Sequence, residues 1–129
     1  MREKNCLRAK NKRIEDKKMI SKETVDVVKK FRDDRSWRQF HNPKDLAISI
    51  NLEAAELLEI YQWSAEDLEC LDKLDKVKEE LADVLSYSIL LADRYGLNLD
   101  EIIQEKMKKN AEKYPVEKAA GVSTKYTDL

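Results

Sequence analysis

Two glycines and two prolines in 129 residues leave this chain almost without turn-formers. A sandwich or barrel of many short strands needs far more of them. Long helices with few connections meet the constraint, and the length suits one domain with one core. Hydrophobic residues make up 42% and charged ones 40%, so a core can form beneath a densely ionic surface. The 25 Lys+Arg nearly cancel the 26 Asp+Glu, for a net charge of −1. That balance argues against a nucleic-acid partner held by bulk phosphate attraction. No apolar run reaches membrane-spanning length and none follows the basic N-terminus, so neither a membrane partner nor a signal peptide is expected. Cys6 and Cys70 fit no ligand spacing and make no disulfide scaffold. A reducing cytoplasm is the compartment expected of such a chain.

Residues 1–18 are a charged N-terminal extension that frays or lengthens the first helix, with a functional start near Met19. The helical domain is expected over 19–116, followed by an aperiodic tail at 117–129. From Ser21 to about Arg35, Val25, Val28 and Phe31 recur at helical spacing. Ser36–Lys44 breaks that period with Trp, Phe and His. Asn42-Pro43-Lys44-Asp45 then starts a second helix, with Asn as cap, Pro in the first turn and Asp at the positive end of the dipole. That helix is expected to reach about Trp63. Ser64-Ala65-Glu66-Asp67 reads as the start of a short capped segment. A third helix covers roughly Lys73–Tyr95 and stops at Gly96. Asn98-Leu99-Asp100-Glu101 opens a fourth, which ends before Pro115. The expected fold class is all-α, a four-to-five-helix bundle of antiparallel type.

Acids spaced three apart are common in a chain this acidic, so their place on the helix carries the information. Residues advance ~100° each around a helix. With Glu53 at zero, Leu46, Ile50, Leu57 and Ile60 all lie within about 60° of it. Glu53 therefore sits in an apolar stripe, where an ionised carboxylate costs several kcal/mol unless paired or bound to a cation. Glu56 lies one turn along the same side. On the third helix the apolar face is read as Val77, Leu81, Val84, Leu85, Ser88 and Leu91, with Glu80 and Asp83 at its edge and Tyr87 just beyond. Two helices thus each offer a carboxylate pair at i, i+3. Four hard oxygen ligands without His or Cys favour Mg²⁺, with Mn²⁺ as substitute, over Zn²⁺. Mg²⁺ usually completes its shell with water and substrate phosphates, which implies a phosphorylated substrate. On geometry alone the plainer reading is the commoner one: a Lys or Arg from a neighbouring helix pairs with Glu53, and Glu80 and Asp83 are solvated. A ferritin-like di-iron site fits poorly, because the single His, His41, is on neither helix.

The stretch FRDDRSWRQFHNPKDLAISINLEAAELLEIYQW, followed by KEELADVLSYSILLA, resembles the MazG-like all-α nucleoside triphosphate pyrophosphohydrolases. Their dCTP pyrophosphatase branch is the closer match, over roughly residues 22–129, including KMKKNAEKYP and the terminal KYTDL. The combination of WRQFHNP, ExxE, YQW and ExxD with a Tyr four residues on is specific, whereas either acidic pair alone is not. The resemblance implies a helical bundle that assembles as homodimer or homotetramer, with sites built across subunits. It implies hydrolysis of a nucleoside triphosphate, dCTP or a modified dCTP-like nucleotide, to the monophosphate and pyrophosphate with Mg²⁺. It makes Glu53, Glu56, Glu80 and Asp83 the catalytic metal ligands. It places the base against Trp37, Arg38, Gln39, Phe40 and His41, with Trp63 as a second aromatic wall and Tyr87 on the nucleotide. It sends Lys106 and Asn110, the KM-x-x-N positions, to the phosphates. Glu56 or Glu59 is the candidate for orienting the attacking water.

The chain departs from that pattern at Val28, where vertebrate-type relatives have a substrate-contacting His. The link from Trp63 to the third helix is also shorter, and residues 1–18 have no counterpart. Each transferred role has an ordinary counterpart: Trp37 and Phe40 plugging the bundle end, His41 on the surface, Tyr87 at a helix edge, Glu59 and Lys106 solvated. The alternatives at the level of the whole chain are a nucleotide-binding regulator without turnover and a helical protein-interaction module.

Overall fold

The computed structural model describes residues 20–129, so the expectations for residues 1–18, Met19 and Cys6 lie outside the described residues. The described chain is all-α, with five α-helices: α1 Lys22–Asp34, α2 Pro43–Glu59, α3 Leu74–Tyr95, α4 Leu99–Lys113 and the short α5 Val116–Ala119. Single 3₁₀ turns precede α2 and α3, at Trp37–Gln39 and Leu71–Lys73, and a third closes the chain at Tyr126–Asp128. The helix starts follow the capping chemistry. Ser21 Oγ accepts from Thr24 N–H at 3.2 Å, Asn42 Oδ1 from Asp45 N–H at 2.9 Å, and Asn98 Oδ1 from Glu101 N–H at 3.2 Å. Gly96, at φ +64°, ends α3 in the left-handed conformation that costs glycine nothing.

Two local expectations are corrected. α2 stops at Glu59, short of Trp63. Tyr61 N–H and Gln62 N–H donate to the carbonyls of Leu58 and Glu59 at 3.0 and 3.2 Å, bonds that tighten the last turn and then release the chain. Tyr61 and Trp63 keep a helical period through this turn, so the pattern overruns the helix. No helix follows at Ser64–Asp67. There the Asp67 carboxylate accepts from the N–H groups of Glu69 and Cys70, at 3.2 and 3.1 Å, and holds a loop that passes through left-handed Ala65 and Cys70. An Asp that satisfies nearby amides itself competes with the helix it was expected to cap.

Packing is concentrated in α2 and α3, which run against each other along their length, with α1 laid on α3. Their core is Leu46, Ile60, Cys70, Ile89, Leu90 and Ala92. On α2 the expected stripe holds, since Leu46, Ile50, Leu57 and Ile60 are buried or half-buried while Ile48, Leu52 and Leu58 face out. On α3 the expected face holds in part, with Val77, Val84, Ser88 and Leu91 half-buried. Leu81 and Leu85 are exposed and Glu80 is buried. One inward row is Glu80–Val84–Tyr87–Leu91, an i, i+4, i+7, i+11 series that includes the acid, while Ile89, Leu90 and Ala92 are buried on other sides of the helix. α1 is tied to α3 by charge: Arg32 Nη1 donates to Asp93 Oδ2 at 2.7 Å, and Lys29 Nζ lies 3.1 Å from Asp93 Oδ1. α4 makes no comparable contact with α1–α3, and Ile103 and Met107 on it are exposed. The tail, aperiodic in sequence, folds back on the end of α4. Tyr126 meets Tyr114 edge-on at 5.8 Å, and Lys113 Nζ lies 4.8 Å above the Tyr126 ring.

Candidate active site

The antiparallel register of α2 and α3 matches Ser49 with Tyr87, Glu53 with Asp83 and Glu56 with Glu80. It brings one carboxylate oxygen from each of Glu53, Glu80 and Asp83 within 4.8 Å of one another, a group able to hold a metal ion. Glu56 lies beside them, and its charge acts on Glu53. Burial lifts the Glu53 carboxyl above its usual range, and the neighbouring charges of Glu56, Asp83 and Glu80 push the same way. Glu80 is 4% exposed. Its Oε1 meets Lys76 Nζ at 2.7 Å, and that contact holds its pKa down against desolvation. Its Oε2 is buried without any partner.

These observations separate the two readings that the sequence leaves open. Among the described residues no Lys or Arg forms an ion pair with Glu53, whose charged surroundings are three other acids. Lys76 answers one oxygen of Glu80 and leaves the second unanswered. Crowded carboxylates with an orphaned buried oxygen are the condition that a bound cation relieves. The donor set therefore fits a metal ion. Glu59 is exposed, at the last turn of α2.

Beside the acids, a pocket of about 310 Å³ opens between α1 and α3. Asp83 lines it and so borders both features. Phe31, Trp37, His41 and Tyr87 form a run of edge-to-face rings, with centroids 5.8, 6.3 and 6.2 Å apart in turn. Burial pushes the His41 imidazole below its usual pKa, helped by the Arg32 charge, and its Nδ1 is buried without a partner. Burial raises the Tyr87 phenol, as do Glu53 and Asp83, against a hydrogen bond with Ser49 that acts the other way.

Of the residues singled out in sequence, the four acids come together, and Trp37, His41 and Tyr87 meet at the pocket. Arg38 and Gln39 do not reach it and instead border a separate hollow with Asn42 and Arg94. Phe40 is exposed outside it, and Trp63 is 86% exposed in the turn after α2. Lys106 and Asn110 lie on α4, away from the acids within one chain. Val28 and Phe31, which recur at helical spacing on α1, form part of the pocket wall, and Phe31 is exposed with the Arg35 guanidinium 3.6 Å above its ring. Sequence reasoning missed Arg32. It is 3% exposed and lines the pocket. A signal for it existed: Arg32 follows Val25 and Val28 at i+7 and i+4, a charge in an apolar row, as Glu53 is.

Comparison with known proteins points the same way. A family model described as the MazG-like family matches residues 48–129, a stretch that holds all four acids but begins after α1 and the aromatic link. Over 104 residues the chain is 36% identical to dCTP pyrophosphatase 1 of Mus musculus and 35% identical to that of Homo sapiens, in each case across 77% of this chain. It spans 61% of the length of these relatives. A crystal structure of a pyrophosphatase from Archaeoglobus fulgidus DSM 4304 is similar at 47% identity and a TM-score of 0.67, covering 72% of this chain and 90% of that one.

Proposed function

Because this chain belongs to the MazG-like family, we propose that it is a Mg²⁺-dependent nucleoside triphosphate pyrophosphohydrolase, releasing pyrophosphate and a monophosphate from dCTP or a dCTP-like nucleotide. One observation carries the reading: Glu53, Glu80 and Asp83 converge within 4.8 Å beside an aromatic pocket that Asp83 also lines. The names of the relatives, dCTP pyrophosphatase and pyrophosphatase, agree with it.

The chain's own groups divide the work. Glu53, Glu80 and Asp83, with Glu56 behind them, are all hard oxygen donors and suit Mg²⁺ or Mn²⁺. When bound there, such an ion supplies the positive charge that lets carboxylates and a triphosphate of about four negative charges share one site, and it polarises the phosphate under attack. Glu53, whose carboxyl pKa is raised by burial and by the neighbouring acids, is the ligand whose charge a cation stabilises most. Trp37, His41 and Tyr87 seat the base, His41 as the neutral imidazole. The Tyr87 phenol, whose pKa is raised by burial and by Glu53 and Asp83, stands opposite Ser49 between the acids and the pocket. The nearness of Glu56 to Glu53 supports Glu56 over Glu59, which lies at the last turn of α2, as the group that orients water.

Trp63, Lys106 and Asn110 belong to this reading through a second copy of the chain. Their distance from the acids, together with exposed Leu52, Leu58, Ile103 and Met107, supports a homodimer or homotetramer in which one copy's α4 completes another's site. Canonical and modified triphosphates incubated with Mg²⁺ and scored for monophosphate plus pyrophosphate test the reaction. Base-selective turnover is expected. Nucleotide binding without any pyrophosphate favours a silent regulator, and no nucleotide binding at all favours an interaction module.

A further inference from the structure

The pocket contains a cation that neither the acid cluster nor the aromatic run explains. Arg32 stands among Val28, Phe31, His41, Asp83 and Ser86 as the one Arg or Lys on the pocket's wall among the described residues. Its guanidinium is locked. Nε donates to Asp33 Oδ1 at 2.8 Å and Nη1 to Asp93 Oδ2 at 2.7 Å, and these two partners hold its pKa up against desolvation. Asp93 is itself held by Lys29 from one turn earlier on α1, at 3.1 Å. A guanidinium has more N–H donors than these two carboxylates use, and no acceptor atom. Burying a cation at a pocket wall is costly unless its remaining donors meet acceptors.

The chemistry that fits is a planar edge with two neighbouring acceptors, because the guanidinium fork matches paired acceptors in one plane. Cytosine presents such an edge in its carbonyl oxygen and adjacent ring nitrogen, whereas adenine has no carbonyl. The opposite wall offers acceptors for an exocyclic amino group. Asp83 is there, and Ser86 Oγ already spends its proton on the Ala82 carbonyl at 2.8 Å. Resting on the pyrophosphohydrolase reading above, we infer that Arg32 is a specificity-determining residue that donates to the carbonyl-and-ring-nitrogen edge of the base, with Asp33 and Asp93 fixing its fork.

Arg32→Met, Arg32→Lys and Lys29→Met test this, with kcat/KM for dCTP and dATP measured by pyrophosphate release at saturating Mg²⁺. In Arg32→Met, dCTP turnover is expected to fall roughly 10- to 100-fold more than dATP turnover, the range for losing a bidentate base contact. Arg32→Lys keeps a charge for Asp93 but loses the fork, so it is expected to fold even if Arg32→Met does not, and to show the same selective loss. Lys29→Met weakens the same ion cluster without touching the pocket, and its dCTP-to-dATP ratio is expected to match the parent. Equal losses on both nucleotides in Arg32→Lys, or an unchanged ratio, overturn the inference and leave Arg32 as a tie between α1 and α3. Binding of dCMP and dAMP, followed by Trp fluorescence without metal, reads the same selectivity if the chain hydrolyses no triphosphate. In that case the proposed activity fails while the role of Arg32 is still decided.

Discussion

The α2–α3 seam and the α4 arm share the groups assigned to one site, and they are built in opposite ways. In the seam, Glu53, Glu56, Glu80 and Asp83 converge within a single chain, and the strain of that arrangement is visible in the raised Glu53 carboxyl and the orphaned Glu80 oxygen. On the arm, Lys106 and Asn110 lie on a helix that packs on little of its own chain, with Ile103 and Met107 exposed. The negative half is finished and needs a cation. The arm's apolar residues are left open, which on the proposed reading suits a second copy of the chain. On that reading one chain alone brings half of the machinery to bear on a triphosphate, and the halves should respond differently to mutation.

The largest expected effect is at the seam. Glu53→Gln should lower Mg²⁺-dependent pyrophosphate release by roughly a thousandfold, since several kcal/mol of charge stabilisation go with the ligand. The metal-free protein should melt no earlier than the parent, because the substitution relieves crowding. It should also lose the rise in Tm that Mg²⁺ gives the parent. A Glu53→Gln protein that still gains stability from Mg²⁺ breaks the account of the seam.

Next in size is Leu46→Ala. Leu46 is 1% exposed, and truncating such a side chain costs about 2–5 kcal/mol. Urea denaturation should show that loss, and hydrogen exchange should quicken in α2 and α3 far more than in α4. Uniform acceleration across all helices would mean that the arm shares the seam's core. The arm has its own test in complementation. Glu53→Gln and Lys106→Met chains, each with little activity alone, should regain part of the parental rate when unfolded and refolded together. Full independence of the two variants would place each complete site within one chain. Trp63→Ala, in the exposed turn after α2, should raise KM about tenfold, in line with ~1–3 kcal/mol for a stacked base, and leave Mn²⁺ affinity unchanged.

How far the sequence could be read differs in the same way between the regions. α2 was legible because Leu46, Ile50, Glu53, Leu57 and Ile60 keep one period and Asn42-Pro43 marks the start. The burial of Glu80 was not, because Leu81 and Leu85 suggest a face that the helix turns outward. An apolar residue on a small helical chain can face a core or a partner, and hydropathy does not distinguish them. The end of α2 was hidden for a related reason, since Tyr61 and Trp63 stay in period after the helix has closed. The acids were found by asking why a charge sits in an apolar row. The same question put to the first helix finds Arg32, whose partner Asp93 is 61 residues away and cannot be seen from local pattern.

The smallest effect is the pH dependence of the seam, and its sign makes it useful. Burial, then the charges of Glu56 and Asp83, hold the Glu53 proton on in the folded chain. An acid with a raised folded pKa binds protons more tightly folded than unfolded, so its contribution to stability falls as pH rises from about 4.3, the ordinary Glu value, through the raised one. Asp93, lowered by its Arg32 hydrogen bond, and His41, lowered by burial, act the other way, since each favours the fold as pH rises through its own window. The Glu53 contribution is therefore read as the difference in melting temperature between the parent and Glu53→Gln at each pH. Without metal, that difference should move against the parent by a few degrees as pH rises through the window. With Mn²⁺ present it should move in the parent's favour, because the ion takes the place of the departing proton. A difference that ignores pH in both conditions would mean that Glu53 has room for its charge, and the seam would then need no cation.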